Sequence, residues 1–274
     1  ILESVIEDDD PGSDAVGSEL DPNDIDAETI QRQLRRNFTR ANPYVQYRIS
    51  ERLTVEAQYD FLDQSFDEDV AVGLVESERN GGSLGLSHRL SERDDLRFQV
   101  GFSHFEPKDR LQSDIYEATA TWQRRVSRRT NFVAEVGYRE VSNDSVDDSG
   151  VLVRLRTRRK SVAGTFGAEV QRLVIPTAFG NLQETDRLSL SYQRGFFSRA
   201  NLVVQGRFFD STTVGGRLRD RRFAQLFAEF SWKLNREFEV GSQLRSIWLE
   251  FKGTGEEADG NVFSVFVRYS PAIR

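Results

Sequence analysis

The feature that most constrains the fold of this chain is a recurring alternation of apolar and polar residues. In residues 52–63, Leu53 and Val55 alternate with Thr54 and Glu56. Successive side chains of a β-strand point to opposite faces of the sheet, so a period of two predicts a strand with one apolar and one polar face. The same pattern returns along most of the chain, which predicts an all-β protein.

Connections between these segments fall into two alternating classes. Short turns that carry Arg, Ser or Asn alternate with longer loops that are rich in Asp, Gly, Ser and Asn. This regular sorting predicts an antiparallel up-and-down meander with all its tight turns at one end. Thirteen strands are predicted, over residues 38–49, 52–63, 81–90, 94–105, 114–125, 130–141, 150–157, 160–172, 185–194, 200–210, 221–233, 236–250 and 261–270. The longer loops are predicted over residues 64–80, 106–113, 142–149, 173–184, 211–220 and 251–260.

Composition excludes several classes of protein and site. The 274 residues include no Cys, which excludes a disulfide framework, a Cys-based zinc site and a thiol nucleophile. No segment approaches the roughly 18 consecutive apolar residues of a membrane-spanning helix. The two histidines, His88 and His104, share the phase of the apolar residues, so we interpret them as interfacial side chains near strand ends. We therefore expect no catalytic constellation, no metal and no cofactor.

The apolar face can point either to a dry core or to lipid. A soluble barrel would turn the polar face to solvent, whereas an outer-membrane barrel turns the apolar face to lipid and the polar face to the lumen. Strands of about 9–13 residues match a tilted bilayer crossing, and aromatic residues near strand ends match interfacial girdles. The sequence therefore predicts a transmembrane antiparallel β-barrel. The aromatic residues of the apolar phase are Tyr47, Tyr59, Phe61, Phe102, Trp122, Tyr138, Tyr192, Phe208, Trp232, Trp248 and Tyr269.

Residues 1–37 differ from the barrel region, 38–274. The acidic, turn-rich stretch at 7–14 is typical of a loop or a disordered segment, and the spacing of apolar residues is compatible with a short helix near 26–36. Thirteen strands would be an odd number, whereas bacterial single-chain barrels have an even number. If residues 1–6 form the end of a further strand, the barrel has about fourteen strands. The alternative is that further strands lie upstream of this chain.

A resemblance to a known family rests on three hairpin segments, 48–59 (RISERLTVEAQY), 88–98 (HRLSERDDLRF) and 123–132 (QRRVSRRTNF). They resemble outer-membrane β-barrel proteins encoded with bacterial exopolysaccharide systems, a porin-like barrel family. The resemblance covers about residues 38–270 and rests on hairpin style; similar hairpins occur in other barrels, including the porin sheaths of multihaem cytochromes. The end of the chain departs from many barrels, because four residues follow the candidate terminal aromatic residue, Tyr269.

The polar face carries the functional prediction. Its charged residues can line an aqueous channel, or they can pair across a narrow barrel, as Glu135 and Arg139 could with Arg154. An excess of Arg would favour anionic solutes or acidic polysaccharide. The predicted lumen-lining residues are Arg48, Glu56, Arg97, Gln99, Glu117, Glu135, Arg139, Arg154, Glu169, Arg187, Arg207, Glu229, Arg245 and Arg268. A calcium site in the acidic loop 142–149 is an additional hypothesis from ligand type alone.

Three functions remain open at this point. The first is a non-enzymatic channel or secretion component in the outer membrane of a Gram-negative bacterium, for exopolysaccharide export or for passage of polar solutes. The second is a non-conducting scaffold that holds a periplasmic or lumen-inserted partner. The third is a hydrolase with its site on the outer rim. The lipid bilayer, a polysaccharide or polar solute and periplasmic secretion proteins are the expected partners, and nucleic acid is not expected.

Overall fold

The computed structural model describes residues 36–66, 75–143, 147–177, 180–197, 199–214 and 220–270. These residues form one antiparallel sheet of fourteen strands in which, from the third strand onward, each strand pairs with the next along the chain. The strands are β1 Arg36–Ala41, β2 Tyr44–Arg48, β3 Leu53–Phe66, β4 Ser77–Arg89, β5 Asp94–Pro107, β6 Ser113–Ser127, β7 Thr130–Ser142, β8 Asp147–Ser161, β9 Gly164–Pro176, β10 Leu182–Phe196, β11 Ala200–Thr213, β12 Arg221–Lys233, β13 Phe238–Phe251 and β14 Glu256–Tyr269. The predicted all-β, up-and-down architecture is confirmed, and among these residues no helix is long and apolar enough to cross a membrane.

The first predicted strand is interrupted. Asn42 and Pro43 separate β1 from β2, and both short strands pair with β3. Proline has no backbone N–H to donate to the ladder, but the Pro43 carbonyl still accepts a hydrogen bond from the Tyr59 N–H at 3.0 Å. The described part of the sheet therefore crosses from end to end thirteen times, in agreement with the thirteen predicted segments.

The predicted turn at Arg158 and Arg159 is wrong. Both residues lie in β8, which continues to Ser161, and the turn is formed by Val162 and Ala163 before β9 begins at Gly164. Gly164 has φ +134°, a backbone conformation that L side chains rarely adopt, so this glycine ends the turn.

Several strands are longer at the loop end than predicted. β3 extends to Phe66, β9 to Pro176 and β14 begins at Glu256, so parts of the predicted loops 64–80, 173–184 and 251–260 are strand. The polar residues there continue the backbone ladder, as in the pair of Phe251 with Glu256. The loop-side end of the sheet is called the outer end below, and the short-turn side the inner end.

The two faces of the sheet have opposite accessibility. Apolar side chains are exposed: Leu84 by 60%, Val136 by 58% and Val265 by 70%. On the other face, Arg139 is 1% exposed and Glu169 5%. This inverts the usual arrangement of a water-soluble protein, in which large apolar residues are buried and charges are exposed. The polar face is the concave, inward face, and the apolar face is the outward face.

Aromatic residues of the outward face form two belts. Near the inner end lie Trp122 and Trp232, and near the outer end lie Tyr116 and Trp248. Trp232 is level with Val240, eight residues before Trp248 on β13. Eight residues span about 27 Å along a strand, or about 21 Å along the barrel axis at the usual tilt near 40°. The spacing suits the apolar layer of an outer membrane.

Two predictions from the sequence concern residues outside the described ranges. These are the strand end at residues 1–6 and the acidic loop or helix before β1. The first strand begins two residues earlier than predicted, because Arg36 and Asn37 belong to β1. β1, β2 and β14 all run from the outer end to the inner end. In the described residues, β14 pairs with β13, and no pairing joins β14 to β1 or β2.

Candidate functional site

The strand register places all fourteen predicted lumen residues on the inward face. Gln99 pairs with Gly85 and Thr119, Glu117 with Arg139, and Glu135 with Arg154, and the same face continues through the last hairpin. That this face borders an aqueous lumen stays a prediction. The remaining members are Arg48, Glu56, Arg97, Glu169, Arg187, Arg207, Glu229, Arg245 and Arg268.

An ion pair and hydrogen bonds link β3, β4 and β5 across the first part of this face. Arg97 Nη2 lies 2.7 Å from Glu56 Oε2, and the Ser87 hydroxyl donates to Glu56 Oε1 at 3.2 Å. Gln99 donates from Nε2 to the Ser83 hydroxyl at 2.9 Å. The two hydrogen bonds join adjacent strands, whereas the Arg97–Glu56 ion pair reaches from β5 to β3 over β4. All three contacts therefore run along the inner wall and need no passage across it.

The pairing predicted for Arg154 is wrong. The register sets Glu135 opposite Arg154, but the Glu135 carboxylate accepts from the Thr121 hydroxyl at 2.8 Å. Arg154 instead donates from Nε to Glu169 Oε1 at 2.6 Å, on the following strand. Glu169 is almost completely buried, and Arg156 Nε lies 4.0 Å from its other oxygen. A diagonal partner is preferred here because both Arg154 and Arg156 can then share one desolvated carboxylate.

Later strands add two contacts of different kinds. The Arg187 guanidinium lies over the Phe209 ring, 4.7 Å from its centroid, and Arg268 donates to Glu239 at 2.9 Å. Phe209 stacks on Phe223 with the two ring centroids 5.4 Å apart. Guanidinium groups bind aromatic faces favourably, so this part of the inward face holds its Arg side chains against rings as well as carboxylates.

The outer ends of β9 and β10 leave the wall. The β8–β9 ladder stops at the pair of Val153 with Arg172, although β9 continues to Pro176. Beyond this point, residues 173–176 and 182–185, here named the cap hairpin, contact the inward face of strands β5, β6 and β7. Those strands are not neighbours of β10 in the sheet, so the cap hairpin lies inside the wall at the outer end.

An apolar cluster holds the cap hairpin in this position. Leu182 of the cap hairpin packs with Phe105, Ile115 and Val141, whose side chains are all at most 6% exposed. Val174 and Val214 pack against the same cluster. Phe105, Ile115 and Val141 all lie in the polar phase of their strands. Their role in an inward apolar cluster was not predicted from the sequence. An apolar residue in the polar phase near a strand end would have been the signal for it.

A buried guanidinium lies beside the apolar cluster. Arg139 of β7 donates to Asp148 at 3.0 Å and to Glu184 of the cap hairpin at 2.5 Å. A Cβ at Gly150 would lie 3.1 Å from both Arg139 Nη2 and Glu184 Oε2, so only glycine leaves these groups their present room. Charge-assisted hydrogen bonds of this kind are strong, and the one to Glu184 joins the cap hairpin to a strand three positions away.

A second contact joins the end of the cap hairpin to the far wall. A Cβ built at Gly180 would lie 3.0 Å from Pro107 Cβ and 3.0 Å from Arg110 Cδ. Gly180 has φ +73°, and Pro107 is fully buried. The hairpin therefore reaches from β9 and β10 to the β5–β6 end, across the concave side of the sheet.

The structure does not bring the proposed calcium ligands together. Asp147 accepts from the Ser142 hydroxyl at 2.7 Å, Asp148 pairs with Arg139, and Asp144 lies outside the described residues. No group of three or more potential metal ligands occurs in the described ranges. His104 Nδ1 lies 2.6 Å from Asp114 at the outer end of the outward face, where an interfacial side chain is expected.

Paired charges mark the outer limit of the apolar band on the outward face. Arg172 makes two hydrogen bonds to Asp186, at 2.6 and 2.7 Å. Further along, Asp210 pairs with both Arg222 and Lys252. These pairs follow directly after the exposed apolar residues of the same strands, which matches the change from acyl chains to headgroups at a bilayer surface.

No family model and no curated protein matches this sequence. Among solved structures, the chain is similar to the copper transporter OprC, with 13% identity and a TM-score of 0.55 over 85% of this chain and 50% of that one. The fold is an outer-membrane β-barrel. It also matches the ferric-catecholate import receptor Fiu of E. coli K12, with 10% identity and a TM-score of 0.41 over 85% of this chain and 55% of that one.

The chain spans about half the length of these two structures. At 13% identity the likeness to OprC concerns the fold alone, and it supports the barrel part of the resemblance seen in the sequence. It does not bear on the association with exopolysaccharide systems, which stays a prediction.

Proposed function

We propose that this chain is a non-enzymatic barrel of a Gram-negative outer membrane that passes polar solutes along its inward face. The observation that carries the proposal is the inverted accessibility of the sheet: Val136 is 58% exposed, whereas Arg139, three residues later on the same strand, is 1% exposed. Such a wall is stable where lipid covers the apolar side and water or polar side chains fill the inside.

The charge of the inward face supports an anionic solute. The fourteen lumen residues include eight Arg and five Glu. Arg binds carboxylate groups through two parallel hydrogen bonds, so an acidic polysaccharide fits this face better than a neutral or cationic solute. Exopolysaccharide export, with periplasmic secretion proteins as partners, is the specific form of the proposal, and it rests on this charge and on the resemblance of the hairpins.

A scaffold that does not conduct is the second candidate, and a specific observation favours it. The inward charges Arg97 and Arg154 are already paired with carboxylates, and the cap hairpin covers part of the outer end. A barrel filled in this way could hold a partner without passing solute. The two functions differ in a single measurable property, which is ion conductance.

Single-channel recording in a planar bilayer tests the proposal. We expect current steps from the purified chain, and we expect an acidic oligosaccharide to block them at lower concentration than a neutral dextran of similar size. Replacing Arg207 and Arg245 by Gln should reduce the difference between the two blockers, while replacement of the outward residue Leu190 by Ala serves as the control. A folded barrel that never conducts would contradict solute passage and support the scaffold.

A further inference from the structure

We infer that the cap hairpin is a gate with two alternative partners: the inward cluster described above, and the unpaired edge of β8. The inference rests on the proposed function. β8 begins at Asp147 and β9 ends at Pro176. Their ladder, however, extends only from the pair of Val153 with Arg172 to the pair of Ser161 with Gly164. Residues 147–152 of β8 therefore have no partner on β9, and residues 173–176 of β9 have none on β8.

Continuing the observed register shows how the wall would close. In this antiparallel register the residue number rises along β9 as it falls along β8. Beyond the pair of Val153 with Arg172, residue 173 would therefore lie opposite residue 152, and so on. Val174 would then lie opposite Val151 and Ile175 opposite Gly150. Val151 is 51% exposed on the outward face, and Val174 has the same phase, so the pair would continue the outward face just beyond the Arg172–Asp186 pair. The sequence thus suits the wall position as well as the inward one.

Different interactions favour each position. The inward position gains burial of Leu182 in the cluster with Phe105 and Val141 and the hydrogen bond from Arg139 to Glu184. The wall position would gain ladder hydrogen bonds along β8. Backbone N–H and C=O groups favour hydrogen-bond partners, so the free edge of β8 favours return of the hairpin to the wall. A solute or partner that competes for Arg139 would shift the balance outward.

A glycine at position 150 suits both the inward position and the wall position of the cap hairpin. In the inward position, Arg139 and Glu184 occupy the space beside its α-carbon. In the wall position, Gly150 would face Ile175, and the absence of a side chain would leave room for this bulky neighbour. A movable hairpin would open the outer end of the inward face without unfolding any strand, because the lower parts of β9 and β10 keep their present pairing.

Disulfide trapping tests this gate, and the chain has no native Cys to interfere. The pair Val151→Cys and Val174→Cys can form a disulfide only in the wall position. The pair Leu182→Cys and Val141→Cys can form one only in the inward position, where both residues belong to one buried apolar cluster. Leu155→Cys with Val170→Cys is the matched control, because these residues pair in the β8–β9 ladder in both positions.

We expect the inward pair to cross-link readily and the wall pair to cross-link slowly under the same oxidant. Adding Arg139→Gln should accelerate the wall pair about tenfold, an effect between those of exposed and buried charge pairs. Glu184→Gln should act in the same direction and serves if Arg139→Gln fails to fold. A wall pair that never cross-links in either background, while the control pair does, would overturn the gate.

Conductance of the trapped forms separates the gate from the proposed function. We expect the wall-trapped form to conduct more than the inward-trapped form, and reduction of the disulfides should remove the difference. If both disulfides form but neither form conducts, the two positions exist and solute passage is refuted. Cross-linking is read from gel mobility, so the evidence for the gate does not depend on any current.

Discussion

Replacement of Val100 by Arg gives a quantitative test of which face meets lipid. Val100 is 57% exposed on the outward face, level with Leu84 and Ala118 and therefore in the middle of the apolar band. An Arg near the bilayer midplane on the lipid face of a barrel costs about 2–4 kcal/mol of folding free energy. The central position of Val100 places the expected loss in the upper half of this range.

Gln99, the residue before Val100, provides the control for this substitution. Gln99 lies on the inward face and donates one hydrogen bond to Ser83, so Gln99→Arg should cost only about 1 kcal/mol, the usual worth of one such bond. Both variants add the same side chain to the same strand, and they differ only in the face that receives it.

The assay is reversible unfolding in guanidinium chloride from lipid vesicles, followed by tryptophan fluorescence and by the gel mobility of the folded barrel. We expect the transition of Val100→Arg to move to clearly lower denaturant while that of Gln99→Arg stays near the parent. Equal losses for the two variants, or a larger loss for Gln99→Arg, would refute the assignment of the faces.

Three further predictions follow from the inward contacts and the strand packing. Arg154→Gln leaves the buried Glu169 with only the distant Arg156 and should cost about 3–5 kcal/mol in the same unfolding assay. Arg268→Gln removes a side chain that is 59% exposed and pairs with a less buried carboxylate, Glu239, so it should cost under about 1 kcal/mol. Similar losses would mean that Glu169 is solvated. Gly137→Val should lower the stability of the folded barrel by about 1–3 kcal/mol, because a Cβ at residue 137 would lie 2.6 Å from the Ala118 carbonyl oxygen. The control Gly206→Val should be nearly neutral, because nothing lies within 4 Å of a Cβ at that position. Leu182→Ala should cost about 2–5 kcal/mol and should raise the open time of the channel; unchanged stability would show that the apolar cluster does not form.

Strand number and faces follow from local chemistry and could be predicted. Alternation such as that of Leu96 and Phe98 with Arg97 and Gln99 fixes both the strand and the face of each residue. One turn was misplaced because Arg158 and Arg159 resemble the turn residues Arg128 and Arg129. The true turn at Val162 and Ala163 carries no turn residue before Gly164, so composition does not reveal it.

The cap hairpin could not be predicted from alternation. Arg139 and Glu184 are 45 positions apart in the sequence and lie on strands that do not pair with each other. A period of two tells which face a side chain takes, but it does not tell where a strand leaves the wall. The individual ion pairs have the same limit, since Arg154 selects a diagonal partner over the one that lies directly opposite.

The most direct test of the account compares two neighbours on β7, Glu135 and Val136, each replaced by Cys in the otherwise Cys-free chain. The protein is folded into vesicles and exposed to a charged, water-soluble maleimide, and a fluorophore at each position is then quenched by spin-labelled lipid. We predict that Glu135→Cys reacts with the maleimide and is not quenched by lipid, while Val136→Cys is quenched and resists the maleimide. The same behaviour at both positions, or the reverse assignment, would contradict a barrel with lipid on its apolar face and water on its polar face.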